Sequence, residues 1–159
     1  MIDVVLTTGH VEIGIVKMYE YSCKVERVVD GDTIDVVLDL GFDILHKCRV
    51  RLSGIDTPES RTRNLDEKAR GKMAGAFLKN AIDAGKKVVI QTKLKDSKGK
   101  FGRVLGDIVV DGKNINQLMI DNYYAAAYFG QSKEAIEAVH DANRTKLIEQ
   151  GLFNPEEIK

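Results

Sequence analysis

The stretch Tyr21-Ser22-Cys23-Lys24-Val25-Glu26-Arg27-Val28-Val29-Asp30-Gly31-Asp32-Thr33-Ile34-Asp35-Val36-Val37-Leu38-Asp39 decides most of the architecture. Tyr21, Cys23 and Val25 alternate with Ser22, Lys24 and Glu26, the period of a half-buried strand over residues 21–29. Asp30-Gly31-Asp32 interrupts it as a turn, because glycine relieves the backbone and aspartate accepts local bonds. Alternation resumes over residues 33–39, with Ile34, Val36 and Leu38 on one face. Leu40-Gly41-Phe42-Asp43 breaks the second run, and residues 47–53 form a third, so the three strands read as an antiparallel meander.

Two more β runs follow at residues 87–94 and 103–110, joined by the polar loop 95–102. Three helices are expected between and after them. The first covers residues 65–84: Asn64 and Glu67 fit a capping box, Met73, Phe77 and Ala81 make an apolar stripe, and Gly85 suits the position just past the end. A short second helix places Ile115, Leu118 and Met119 together. The third starts after Ser132, carries Ile136, Val139 and Leu147, and ends at Gly151. Five strands with late helices suit an α+β, mainly β fold: a small five-stranded barrel of the OB type with three helices packed outside. The expected organisation is an N-terminal extension at residues 1–17, which can form a β-hairpin, a single domain at 18–153 and a short tail at 154–159.

The chain has 159 residues, enough for one domain with a real core. Hydrophobic residues make up 43% and charged residues 30%, as in ordinary soluble globular proteins. No apolar run approaches the roughly 20 residues that span a bilayer. The first 16 residues lack a basic segment followed by an unbroken apolar one, so the expectation is a cytoplasmic protein without a signal peptide. Cys23 and Cys48 form no CxxC and no zinc pattern with His10, His46 and His140, and read as buried free thiols.

Formal net charge is zero, but its distribution is uneven. Residues 45–72 hold eight Lys/Arg against four Asp/Glu, and residues 93–103 five against one. From Lys133 onward the balance reverses, four against six. Local potential, not net charge, attracts a polyanion.

Two acidic motifs accompany these basic stretches, one ahead of them at residues 30–32 and one inside residues 45–72. Asp30 and Asp32 flank a glycine at a hairpin mouth, where paired carboxylates can hold a hard cation, although Asp-Gly is also an ordinary hairpin turn. An EF-hand does not fit, since Asp35 and Gly41 occupy its glycine and bidentate-glutamate positions. Ile55-Asp56-Thr57-Pro58-Glu59 directly follows the third strand. Proline fixes its own φ and restricts Thr57, which pre-sets the separation of Asp56 and Glu59. Strand alternation puts Arg51 and Asp56 on opposite faces; they converge only if the chain bends at Ser53-Gly54. Arg103, after Gly99-Lys100-Phe101-Gly102, is a second arginine able to grip a phosphate.

Taken in order, Val29-Asp30-Gly31-Asp32-Thr33, Arg51 with Ile55-Asp56-Thr57-Pro58-Glu59, and Lys100-Phe101-Gly102-Arg103 resemble the staphylococcal nuclease family over about residues 21–153. The resemblance implies an OB-fold barrel with three helices and Ca²⁺-dependent cleavage of DNA and RNA. It implies Asp32 and Asp56 as metal-binding carboxylates, with the Thr57 backbone carbonyl completing the site and Asp30 as an acid beside it. Glu59 resembles the glutamate that orients or deprotonates water; Arg51 and Arg103 resemble the phosphate-gripping pair. Lys100 and Phe101 would meet the nucleic acid, though the best-known family members carry tyrosine where this chain has Phe101. Tyr128 or Phe129 matches the base-stacking aromatic.

The expected reaction is in-line hydrolysis of a phosphodiester, with little sequence specificity because stacking tolerates any base; the resemblance implies that it leaves a 3′-phosphate. Mg²⁺ and Mn²⁺ are alternatives to Ca²⁺ for such carboxylates. A monomer acting on nucleic acid, without membrane or protein partner and in a phage or mobile-element context, completes the expectation. The rivals are a catalytically silent nucleic-acid-binding OB module and a structural barrel that docks a partner.

Overall fold

In the computed structural model, residues 2–7, 10–16, 19–92 and 103–158 are described. The rows that alternate in sequence point into one shared interior. Ile34, Val36 and Leu38 on strand β4 (Thr33–Asp39) are all buried, as are Val50 and Leu52 on β5 (Leu45–Leu52). β3 (Glu20–Asp30) pairs antiparallel with β4, and β4 with β5, so the meander is present. β7 (Val88–Gln91) pairs antiparallel with β3 and with β8 (Val104–Val110). β8 then joins β5 in parallel, Val50 opposite Val104 and Arg51 opposite Leu105. That last pairing closes a five-stranded mixed barrel, as expected for an OB-type fold, and removes the free edges of the sheet.

Five short or peripheral strands complete the set among the described residues. β1 (Ile2–Thr7) and β2 (His10–Val16) form a separate antiparallel hairpin. β6 (Ile55–Asp56) pairs with β10 (Ala126–Ala127), outside the barrel, and β9 (Lys113–Asn114) extends β8. Among the described residues no helix is long and apolar enough to cross a membrane.

The three helices are α1 (Leu65–Asp83), α2 (Ile115–Asp121) and α3 (Lys133–Glu149). Asn64, Asn114 and Ser132 cap them, each accepting a backbone N–H three residues on. The first cap is half of a capping box: the Glu67 carboxylate accepts the Glu59 N–H at 3.3 Å and so tethers the acidic loop to the helix. The buried seam of α1 is Gly71, Ala74, Leu78 and Ile82. The expected stripe Met73, Phe77 and Ala81 lies one residue aside and is half-buried, with Phe77 stacked on Tyr124 at 4.6 Å. Gly85 follows the helix for packing, because a Cβ there would stand 1.9 Å from Val110 Cγ1.

On α3 only Leu147 is buried among the expected apolar residues, and Val139 faces solvent. Polar contacts hold this helix instead. Arg144 clasps Asp66 at 2.9–3.2 Å, and Asn143 donates to the Ala125 carbonyl at 3.1 Å. Burial alone would raise the Asp66 pKa; hydrogen bonds from Arg144 and Arg70 outweigh it and hold the carboxyl below its ordinary range. Cys23 and Cys48 are free thiols, half-buried on β3 and β5, and burial pushes Cys23 up to about 11.

Candidate active site

The two acidic motifs meet because of how the barrel wall and α1 fit together. At the end of β5 the backbone turns at Gly54, whose φ of +73° is the left-handed conformation that favours glycine. The bend reorients the chain between Arg51 and Asp56, as their opposite strand phases require. The Arg51 Nη2 lies 3.3 Å from Asp32 Oδ2 and 3.6 Å from Asp56 Oδ1. Its Nη1 donates to the Leu52 carbonyl at 2.8 Å, so the guanidinium is fixed by its own strand. Ser53, beside the bend, donates to the buried Asp107 carboxylate at 2.6 Å, and Asn116 Nδ2 donates to the Ser53 carbonyl at 2.9 Å. Those bonds tie the bend to β8 and α2.

Asp32 is locked from two sides. Thr33 Oγ1 donates to its Oδ1 at 3.0 Å, and the Thr57 N–H donates to its Oδ2 at 3.1 Å. The second bond joins the hairpin turn directly to the Asp56–Glu59 loop. Asp30 accepts a hydrogen bond from Ser60 Oγ, a further link between the same segments.

α1 supplies the platform, and its small residues allow the approach. A Cβ on Gly71 would stand 2.7 Å from the Pro58 carbonyl oxygen and the Glu59 backbone. A Cβ on Gly31 would stand 2.7 Å from Ala74 Cβ. Gly71→Ala is therefore expected to push the Glu59 loop off the helix. Overpacking of this kind costs about 1–3 kcal/mol, which thermal unfolding will register as a lowered midpoint.

The carboxylates crowd one another. Burial first, and then Asp32, Asp30, Asp56 and Glu67, raise the Glu59 pKa above its ordinary value. Negative charge thus exceeds what Arg51 neutralises. Asp32 and Asp56 both lie within 3.6 Å of one Arg51 nitrogen and share its positive charge. Among the described residues no three His, Cys, Asp or Glu side chains gather as a metal cluster. A cation here would therefore depend on two carboxylates with a backbone carbonyl and water, the oxygen-only set that suits a hard ion.

One contributor escapes sequence reasoning. His140, on α3, brings Nε2 to 2.8 Å from Asp56 Oδ2 and is itself largely buried. α3 thus reaches the acidic loop, although nothing in the sequence of that helix suggests a role in chemistry. No local pattern marks His140, since its partner lies 84 residues away.

Arg103 is half-buried one residue ahead of β8, and two residues before Leu105, the partner of Arg51. Tyr128 and Phe129 follow β10 and are exposed by 46% and 80%. The Tyr128 N–H donates to the Gly54 carbonyl at 2.8 Å, which sets the Tyr128 backbone beside the bend. Lys100 and Phe101 lie outside the described residues.

A closed OB-type barrel with these acidic loops and their partly buried arginine defines a class before any relative is considered. The family described as staphylococcal nuclease homologue matches residues 49–150, and the chain belongs to it. It is 34% identical over 116 residues to endonuclease YhcR of Bacillus subtilis, covering 69% of this chain and 9% of that protein. It is 30% identical over 134 residues to the SPbeta prophage-derived endonuclease YokF of the same organism, covering 84% of this chain and 40% of YokF. An uncharacterized endonuclease of Escherichia coli is 35% identical over 132 residues, 82% of this chain and 76% of that protein. The chain thus spans well under half the length of YhcR and YokF.

Proposed function

We propose that this domain is a Ca²⁺-dependent nuclease that hydrolyses DNA and RNA with little sequence specificity and leaves 3′-phosphate ends. The observation that carries this reading is the Asp32–Arg51–Asp56 contact, two carboxylates and a guanidinium brought together from separate motifs. Relatives named endonucleases support it. A prophage-derived relative also fits a mobile-element origin.

Asp32, Asp56 and the Thr57 carbonyl would hold the cation. When bound, it supplies Lewis-acid charge at a phosphoryl oxygen. Arg51 and Arg103 grip the other phosphate oxygens and stabilise charge developing there. Glu59 orients the attacking water or accepts its proton; its raised pKa brings it nearer to the working range of a general base. Asp30 keeps the Ser60 loop in place. Tyr128 and Phe129 offer exposed faces for stacking, and Lys100 and Phe101 are further candidates to meet the nucleic acid.

The barrel wall favours a polyanion as well. Lys47, Arg49 and Arg51 alternate along β5 and so share one outward face. Arg49 and Arg27 share a single carboxylate, Asp35, leaving excess positive charge beside the site.

The test is degradation of plasmid DNA and of RNA with Ca²⁺, Mg²⁺, Mn²⁺ or a chelator, with the ends of the products determined. The expected result is cleavage in Ca²⁺, none in chelator, and 5′-hydroxyl with 3′-phosphate ends. Binding without cleavage in any metal would favour a silent OB module.

A further inference from the structure

We infer that His140 is a positioning residue for Asp56, and that α3 thereby forms part of the cation site. The inference rests on the proposed role of Asp56 as a cation ligand. Asp56 stands on β6, a two-residue strand whose only described ladder is with Ala126 and Ala127. That ladder fixes the backbone but leaves the carboxylate free to rotate. Two side chains remove that freedom. Arg51 faces Oδ1 at 3.6 Å, and His140 holds Oδ2 at 2.8 Å.

An ionised carboxylate only accepts, so the contact requires a proton on His140 Nε2. With Oδ2 so engaged, Oδ1 is left directed toward Arg51 and Asp32, the direction from which a bridging cation would be held. Partners of this kind set the orientation of a ligand, and losing one typically weakens metal affinity about 10–100-fold.

Contacts other than His140 also hold the helix. Arg144 on Asp66, Asn143 on the Ala125 carbonyl and buried Leu147 anchor α3 downstream of it. An anchoring role and a positioning role therefore predict different results. The groups facing His140 include Glu67, Glu137 and Asp141, which line the same cleft of about 270 Å³ between α1 and α3.

The test measures Ca²⁺ affinity of the purified full chain without nucleic acid, by calorimetry and by competition with Tb³⁺ luminescence. His140→Leu keeps bulk but lacks the donor; His140→Gln offers an amide N–H in its place. The expected result is at least tenfold weaker Ca²⁺ binding in His140→Leu and substantial recovery in His140→Gln. Wild-type affinity in His140→Leu, or equal loss in both variants, overturns the proposal. Imidazole ¹⁵N spectra of the unsubstituted protein give a check that no folding defect can obscure. A protonated His140 Nε2 whose signal moves on adding Ca²⁺ is expected; a bare Nε2 overturns it. Asp56→Asn separates the two levels. If Asp56→Asn loses Ca²⁺ and His140→Leu does not, His140 has no positioning role. If the unsubstituted protein binds no Ca²⁺, the cation reading fails and this inference with it.

Discussion

Arg51→Ala is expected to lower the single-turnover cleavage rate by about 10²–10³-fold, the usual effect of removing one pre-organised donor at developing charge. The guanidinium is already placed: its side chain is 17% exposed, and its Nη1 is tied to the Leu52 carbonyl. No reorganisation is needed when substrate arrives. Its loss has a second consequence of opposite sign. Asp32 and Asp56 would lose the guanidinium they share, a positive charge that competes with a cation, so Ca²⁺ should bind at least as tightly as before. A variant that holds the cation and scarcely cleaves would separate phosphate gripping from metal binding. Arg51→Lys should recover little, because a point charge lacks the planar fork. Calcium titration beside cleavage kinetics checks both halves.

Glu59→Gln should produce opposite signs in activity and stability. Cleavage falls because a neutral amide cannot take a proton and orients water poorly. Stability at neutral pH rises, since the ionised Glu59 is disfavoured by burial and by four neighbouring carboxylates. A carboxyl whose folded pKa is raised contributes its stability below the unfolded pKa, and that contribution is lost as pH rises through the folded value. The amide resembles the protonated acid, so the advantage of Glu59→Gln should be present at neutral pH and vanish below the ordinary glutamate range. Thermal unfolding of both proteins across that pH span, without metal, measures it. A destabilised variant at neutral pH would show that the carboxylate is not under electrostatic stress.

The barrel was legible because its signals are local. Ile34, Val36 and Leu38 repeat every second residue, and the 33–39 strand found is the one expected. The bend at Gly54 was also legible, since strand phase made it necessary for Arg51 to reach Asp56. α1 was less so. Met73, Phe77 and Ala81 looked like its core face, but two glycine-sized approaches, at Gly71 and Gly31, rotate the helix toward the acidic loops. Such contacts depend on the shape of a distant partner, which leaves no periodic trace. His140 lies at the far end of that scale. A single histidine on a mostly exposed helix carries no pattern, and only tertiary packing brings it to Asp56. Glu67 is intermediate: the capping-box spacing was visible, but its carboxylate serves Glu59 instead.

The most direct test of the central claim, that Asp32, Asp56 and Glu59 act with Arg51 and Arg103 on one phosphodiester, is the single-turnover cleavage rate of a short oligonucleotide. It is measured with Ca²⁺ for the unsubstituted protein, Asp32→Ala and Arg103→Ala, and with chelator for the first. A loss of about 100-fold or more is expected in each of the three impaired cases, with folding intact by circular dichroism. Full-rate cleavage by Asp32→Ala, by Arg103→Ala or in chelator would contradict it.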